Sequence, residues 1–363
     1  MKISKIVITG GPCAGKTTAL SWIEKSFTQL GYTVLFIGET ATEFINGGVA
    51  PWTCGSNVAY QKCQMRLQLE KEKLFAEAAS SMPADKILIV CDRGAMDNRA
   101  YMNDEEFAAV LSHVGSNEVE LRDSYDAVFH LVTAANGAEE YYTTANNTAR
   151  TETPEEAIAL DNKLIAAWTG HPHLRVIGNE TGFEDKMKLL IKEISSFLGE
   201  PEPLEIERKY LIEYPDLAWL ASYPAARAVE IVQTYLTSEP GCERRVRKRG
   251  ERGNYIYMLT TKRKISGLKR IETETRLTAE EYETLLSQKD PTRREIAKTR
   301  YCLTYEGRYF EIDVFPFWSD KAIAEIELSD ENEEVALPPQ LKLIKEVTHD
   351  EAYKNASLAK LDI

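Results

Sequence analysis

The residues Gly10-Gly11-Pro12-Cys13-Ala14-Gly15-Lys16-Thr17, with Thr18 directly behind them, have the spacing GxxxxGK[ST] that suits chemistry on phosphate. Glycines let backbone N–H groups fold around a β-phosphate, and a helix starting there adds partial positive charge. Lys16 would then reach the β- and γ-phosphates, and the Thr17 hydroxyl would bind Mg²⁺. ATP or GTP is the expected ligand. Further positions suit the same chemistry. The aliphatic run 87–91 ends in Asp92, which would hold Mg²⁺ at a strand's carboxyl end or cap the following turn. Arg93 comes next and can contact a substrate or a phosphate. Glu39 ends the run 34–38 and would take a proton from an attacking hydroxyl, orient a substrate, or sit solvated on the rim. Arg150, in the polar stretch 146–152, either closes over a transferring phosphoryl group or pairs with Glu152 at the surface.

The second half alternates charged and apolar residues. On a strand, Glu205, Glu207 and Lys209 share one face. So do Arg245 with Arg247, Arg270 with Glu272 and Glu274, Lys298 with Arg300, Glu311 with Asp313, and Glu325 with Glu327. Lys262 ends another such run. Ile206, Val246, Ile271, Ile312, Val314, Ile326 and Leu328 take the opposite faces. A single strand of this kind reads as a solvated sheet face. Several, with acids gathered on some and bases on others, read as a barrel with a polar lumen. Glu205, Glu207, Glu272, Glu274, Asp313, Glu325 and Glu327 would bind Mg²⁺ or Mn²⁺ through hard oxygens. The arginines and lysines would hold phosphates. A linear triphosphate with its metals calls for both signs at once, and its hydrolysis would use metal-activated water and charge stabilisation at phosphorus. Arg244 and Lys248 face outward by parity, while Arg249 has the inward parity but sits at the strand end and is left unassigned.

Positioning these groups requires two kinds of architecture. Before residue 200, short aliphatic runs (5–9, 33–38, 86–91, 126–132, 174–177) alternate with helix-length amphipathic stretches (16–30, 58–79, 154–168, 183–198). That rhythm predicts an α/β P-loop NTPase domain, a parallel sheet with flanking helices, over 1–199. Gly199-Glu200-Pro201-Glu202-Pro203 is a stop signal, and 200–203 reads as a linker. Beyond it, β-like runs (204–211, 230–236, 243–249, 255–262, 269–276, 297–305, 308–315, 322–328) surround one helix at 278–288. The expectation for 204–363 is a predominantly antiparallel β-barrel, with α+β content.

A net charge of −13 argues against non-specific binding to nucleic acid or anionic membrane. No apolar run approaches membrane-span length, so no stable membrane insertion is expected. The opening residues lack a signal-peptide pattern, and the six cysteines form no CxxC pair. A cytoplasmic protein with free thiols is the expectation.

On the residues of the phosphate loop, Glu39, Asp92-Arg93 and Arg150, the first half resembles the nucleoside/nucleotide-kinase branch of P-loop proteins. It also resembles the kinase domain fused to some nicotinamide-nucleotide regulators. That resemblance puts Glu39 at the family's base position and Arg150 at its lid arginine. Asp92-Arg93 fall on an Asp/Glu-Arg-Ser motif whose serine is Gly94 here. The stretch 157–179, with Asp161, Trp168, Gly170-His171-Pro172-His173 and Asn179, is similar to small AAA-type ATPase domains; its two histidines read as loop structure, not as a metal site. Residues 204–363 resemble the CYTH, or triphosphate-tunnel, family. Its opening ExExK matches Glu205, Glu207 and Lys209, its paired charged positions follow in order, and 346–350 with 353–355 fit its end. The resemblance implies hydrolysis of inorganic or organic triphosphates, or cyclisation of ATP in some members. Along its full length the chain resembles the TRPL translocation-defect family, linked to nucleotide and phosphoinositide binding in membrane traffic. Two functional classes follow. One is an enzyme whose barrel cleaves a triphosphate beside a P-loop domain that binds nucleotide, hydrolyses it or acts as a kinase. The other is a nucleotide-controlled protein whose barrel captures phosphoinositide-like head groups without turnover. Complete acidic and basic sets favour the enzyme.

Overall fold

The computed structural model describes residues 2–141, 153–200, 206–239, 241–266, 269–328 and 333–360. The chain forms two compact units, Met1–Glu205 with Thr304–Tyr309, and Ile206–Leu303 with Phe310–Ile363.

In the first unit β1 (Lys2–Gly10), α1 (Lys16–Gln29), β2 (Thr33–Ile37), α2 (Thr40–Asn46), α3 (Asn57–Ser80), β3 (Lys86–Asp92), α4 (Asp104–Val114), α5 (Glu118–Arg122), β4 (Ala127–Leu131), α6 (Pro154–Trp168), β5 (Leu174–Ile177) and α7 (Phe183–Leu198) follow one another. The strands form a parallel sheet in the order β2-β3-β1-β4-β5. Helices cover both faces, which is why β1, β3 and β4 read as continuous aliphatic runs without alternation. Ile6, Ile8, Leu88, Val90 and Phe129 pack with Ile23 and Phe27 of α1 and with Leu190 and Ile194 of α7. Val7, Ile87, Ile89 and Val128 face Met65, Phe107 and Trp168 on the other side. Helix α6 starts at a capping box between Thr153 and Glu156, with Pro154 in its first turn. Strand β1 is central, so its carboxyl end opens where the strand order turns, the position at which such sheets bind ligands.

The second unit contains β6 (Ile206–Glu213), α8 (Leu217–Ser222), β7 (Ala226–Leu236), β8 (Cys242–Glu251), β9 (Asn254–Ser266), β10 (Lys269–Leu277), α9 (Ala279–Leu286), β11 (Ile296–Tyr305), β12 (Arg308–Val314), β13 (Lys321–Leu328), β14 (Leu343–Glu346) and α10 (Asn355–Leu358). Among the described residues these strands make one antiparallel sheet, in the order β10-β9-β8-β7-β11-β12-β13-β6-β14. Leu236, Val246, Leu259 and Leu277 project from one face onto Tyr282, Leu285 and Leu286 of α9. The period-two alternation then leaves Arg245, Arg247 and Glu274 of these strands to the other face. Among the described residues no helix is long and apolar enough to cross a membrane.

Candidate phosphate sites in the two units

The turn between β1 and α1 has the shape of an anion cradle. Gly10 and Gly15 have φ of 147° and 90°, and Gly15 caps α1 in the left-handed region. A methyl group on Gly10 would overlap the Leu131 carbonyl oxygen, so glycine is required there on two counts. Lys16 Nζ folds back onto the Gly10 carbonyl oxygen at 3.3 Å. Burial, reinforced by Arg93 and opposed by Glu39 and Asp92, lowers its pKa to about 8. Thr17 and Thr18 are exposed on the first turn of α1.

Glu39, Asp92 and Arg93 meet at the carboxyl ends of β2 and β3. Arg93 Nε donates to Glu39 Oε1 at 2.5 Å, and its Nη1 lies 3.8 Å from Asp97. Burial works against ionisation of Glu39, yet Arg93 and Lys16 more than offset it and hold its pKa below the usual value. Burial pushes Asp92 up, with Glu39 adding to the effect and Lys16 opposing it. Asp92 Oδ1 is buried without a hydrogen bond among the described residues. Such an oxygen, with the exposed Thr17 hydroxyl, is a donor set that fits a hard divalent cation.

Asp161 of α6 fastens this turn from behind. Its Oδ1 accepts the Gly11 N–H at 2.6 Å and lies 2.9 Å from His130 Nε2, while its Oδ2 accepts the Thr133 N–H at 3.3 Å. Burial opposes the charge, but His130 and these donors hold the carboxyl below the ordinary aspartate value. An Asp161→Asn variant turns an amide donor toward groups that themselves donate. We expect it to cost about 2 kcal/mol and to lower the melting temperature by roughly 5 °C in a calorimetric scan, with weaker nucleotide binding.

In the second unit the charged face of the sheet is a network. Arg300 Nε donates to Asp313 Oδ1 at 2.7 Å, and Nη2 donates to Asp313 Oδ2 at 2.7 Å and Glu325 Oε2 at 2.9 Å. Its Nη1 pairs with Glu311, and Lys298 pairs with Asp313. Lys209 Nζ lies 2.8 Å from Glu325 and 3.1 Å from Glu207. Arg247 lies 3.5 Å from Glu274, which also accepts from Thr260. Burial disfavours the Asp313 carboxylate, but Arg300 and Lys298 prevail and bring its pKa down to about 2. Glu325 is lowered against both burial and the Asp313 charge, by Arg300, Lys298 and Lys209. Glu325 and Glu207 in turn raise Lys209 despite its burial. Burial lowers Arg247, and Arg245 beside it lowers it further.

Arg245 stands opposite Thr260, and Lys262 opposite Glu272. Glu327 stands directly opposite Glu207. Like charges opposed across a ladder are unfavourable, and a divalent cation between them removes that cost, so these carboxylates also fit a hard metal. Among the described residues, however, no three His, Cys, Asp or Glu side chains converge on one metal-sized point. Arg150 and Glu205 lie outside the described residues, as do the side chains of Arg270 and Glu272.

The sequence pattern of the AAA domain (AAA_28) matches residues 5–186, and that of the CYTH domain matches 203–360. The chain belongs to the AAA_28 family and carries a CYTH domain behind it. A crystal structure of an inorganic triphosphatase is 31% identical to it over 43% of this chain and 94% of that one, with a TM-score of 0.33. A protein from Pyrococcus horikoshii is 19% identical over 35% of this chain and 81% of its own, with a TM-score of 0.27. No curated protein matches the chain.

Several contributors to both domains carry only faint signals in the sequence. In the AAA domain, Thr133 Oγ1 donates to the Pro12 carbonyl oxygen, and Lys186 Nζ donates to the Val132 carbonyl and to Asn179 Oδ1, both at 2.7 Å. His171 of the His-Pro-His stretch is a satisfied core residue, its Nε2 2.9 Å from the Tyr125 carbonyl oxygen and its Nδ1 accepting from the His173 N–H. In the CYTH domain, Arg249 is buried on the same face as Arg245 and Arg247. Its parity alone marked that placement.

Proposed function

We propose that the chain is a two-domain enzyme of phosphate chemistry, with a boundary at 200–203. The AAA domain binds ATP or GTP with Mg²⁺ through residues 10–18. It hydrolyses the nucleotide or passes its terminal phosphoryl group to an acceptor beside Glu39 and Arg93, under the lid residue Arg150. The CYTH domain binds a linear triphosphate and hydrolyses it with the help of a divalent metal.

The observation that carries the second reading is the matching of Lys298, Arg300 and Lys209 by Asp313, Glu311, Glu325 and Glu207. A polyanion binder needs the cations and loses affinity to carboxylates that neutralise them. A site for a phosphate chain with its cations needs both. Arg300, Lys298, Arg245 and Arg247 hold phosphate oxygens on this reading, and Glu207, Glu327 and Glu274 hold metal. A bound divalent cation supplies charge neutralisation and a more acidic water.

The test is phosphate release from tripolyphosphate, ATP and GTP with Mg²⁺ or Mn²⁺, for wild type, Lys16→Ala and Glu205→Gln/Glu207→Gln. Turnover of tripolyphosphate lost only in the glutamate variant is the expected result. Turnover lost only in Lys16→Ala would instead make the AAA domain the hydrolase and the barrel a binding site. No turnover in any of the three would overturn the enzyme reading.

A further inference from the structure

The phosphate loop has a neighbour that its phosphate chemistry does not use. Phe183 opens α7 and is 46% exposed, although it is a large apolar side chain. Three of its ring carbons lie within 2.7–3.8 Å of the point where a Gly15 Cβ would stand. An exposed phenylalanine needs no explanation by itself. This one is seated on the last glycine of the anion cradle and leaves much of its ring to solvent.

The segment that presents it is fastened in place. Asn179 Nδ2 donates to the carbonyl oxygens of Thr133 at 2.8 Å and Asn136 at 2.7 Å. One turn into α7, Lys186 bonds Val132 and Asn179, and burial lowers its pKa to about 8. Side-chain bonds to backbone carbonyls thus tie the β5–α7 connection and the first turns of α7 to the segment after β4. The backbone that carries the ring is held beside the turn 10–18, with the ring against Gly15, before any ligand binds.

We propose that Phe183 is the stacking platform for the base of a nucleotide whose phosphates lie in the turn 10–18. The inference rests on the reading that the AAA domain binds a nucleotide, and it specifies the ligand further. A planar base, joined through its ribose to the α-phosphate, covers the exposed part of the ring. Gly15 is then required twice, by its positive φ and by the space the ring occupies. Stacking uses the π-face that every base has, so the platform favours nucleotides over bare polyphosphates without choosing adenine or guanine.

Calorimetric titration of the full chain in Mg²⁺ tests this with ADP, GDP and pyrophosphate; the two nucleotides carry the base, pyrophosphate does not, and all are shorter than a triphosphate. Wild type, Phe183→Ala, Phe183→Trp and Lys16→Ala are compared. In Phe183→Ala the affinity for ADP and GDP should fall roughly 5- to 100-fold, with pyrophosphate affinity unchanged. Phe183→Trp should keep or improve nucleotide affinity. Unchanged ADP affinity in Phe183→Ala, or an equal loss for pyrophosphate, would overturn the platform and reduce Phe183 to packing on Gly15. Nucleotide affinity that is equal in wild type and Lys16→Ala would instead overturn the phosphate-loop reading, and the platform with it.

Discussion

Replacing Arg300 by methionine is expected to lower the melting temperature of the protein by roughly 10 °C near pH 8 and to cut triphosphate turnover about 100-fold or more. Arg300 reaches carboxylates on two neighbouring strands, Asp313 and Glu311 on β12 and Glu325 on β13. Among the described residues, removing it leaves Asp313 with Lys298, Glu325 with Lys209 and Glu311 without its ion pair, and stripping one partner from a buried ion cluster costs about 3–5 kcal/mol. The pH dependence separates this from lost packing. In the wild type, Asp313 and Glu325 have depressed pKa values, so their contribution to stability is present above the ordinary carboxylate range. It is lost as the pH falls through their lowered folded pKa values, about 2 for Asp313. Without Arg300, burial gains ground and raises both carboxyls. A carboxyl raised by folding stabilises while protonated and loses that contribution as the pH climbs through its folded pKa. The melting deficit of Arg300→Met should therefore shrink between pH 8 and pH 5. A deficit equal at both values would show that the guanidinium matters through packing only. Arg300→Lys should fall between the two, because a single ammonium cannot serve acids on two strands as the planar fork does.

The long elements of both domains were legible because their patterns are strong. Helices α6 and α7 have the bounds their periodicity predicts. The aliphatic runs of β1, β3 and β4 mark a sheet covered on both faces. Charge parity on β6 and β11–β13 is the signal that survives folding best, because a side chain two positions along a strand must return to the same face. What stayed hidden has physical reasons. Strand β14 has four residues, all exposed, and carries no alternation that separates it from a loop. Helix α2 has seven residues, too few for a period to repeat. The bond from Asp161 to Gly11 crosses 150 positions of sequence, and a mid-helix aspartate reads as surface until the fold buries it. Glu39 and Arg93 were legible as chemistry, but not as a pair. Each looks available to a ligand in the sequence, whereas in the fold each is the other's first partner. A substrate that recruits either must therefore replace the other, and the carboxylate held low by Arg93 becomes a better base only when Arg93 turns to a phosphate.

Replacing Lys16 by alanine should weaken Mg²⁺-nucleotide binding roughly 10- to 100-fold, the range for losing charge-assisted bonds to phosphate. The wild type should also show a pH dependence that the variant lacks. Without an anion, Lys16 has a pKa of about 8, because burial and Arg93 disfavour its charge more than Glu39 and Asp92 favour it. A bound phosphate adds negative charge beside the ammonium and raises that value, so nucleotide binding takes up a proton once the free protein has lost it. Wild-type affinity should then be level below about pH 8 and fall up to tenfold per unit above it, until the complex itself titrates. Titrations in buffers of differing ionisation heat should record proton uptake at pH 9 and little at pH 7. Lys16→Arg keeps its charge throughout, so its profile should stay level at whatever affinity its geometry permits. A level wild-type profile would mean that the Lys16 ammonium does not meet the phosphates. A falling profile retained in Lys16→Ala would move the titrating group elsewhere in the turn. With the loss and the slope tied to one side chain, the proton taken up and the phosphate bound would share a site.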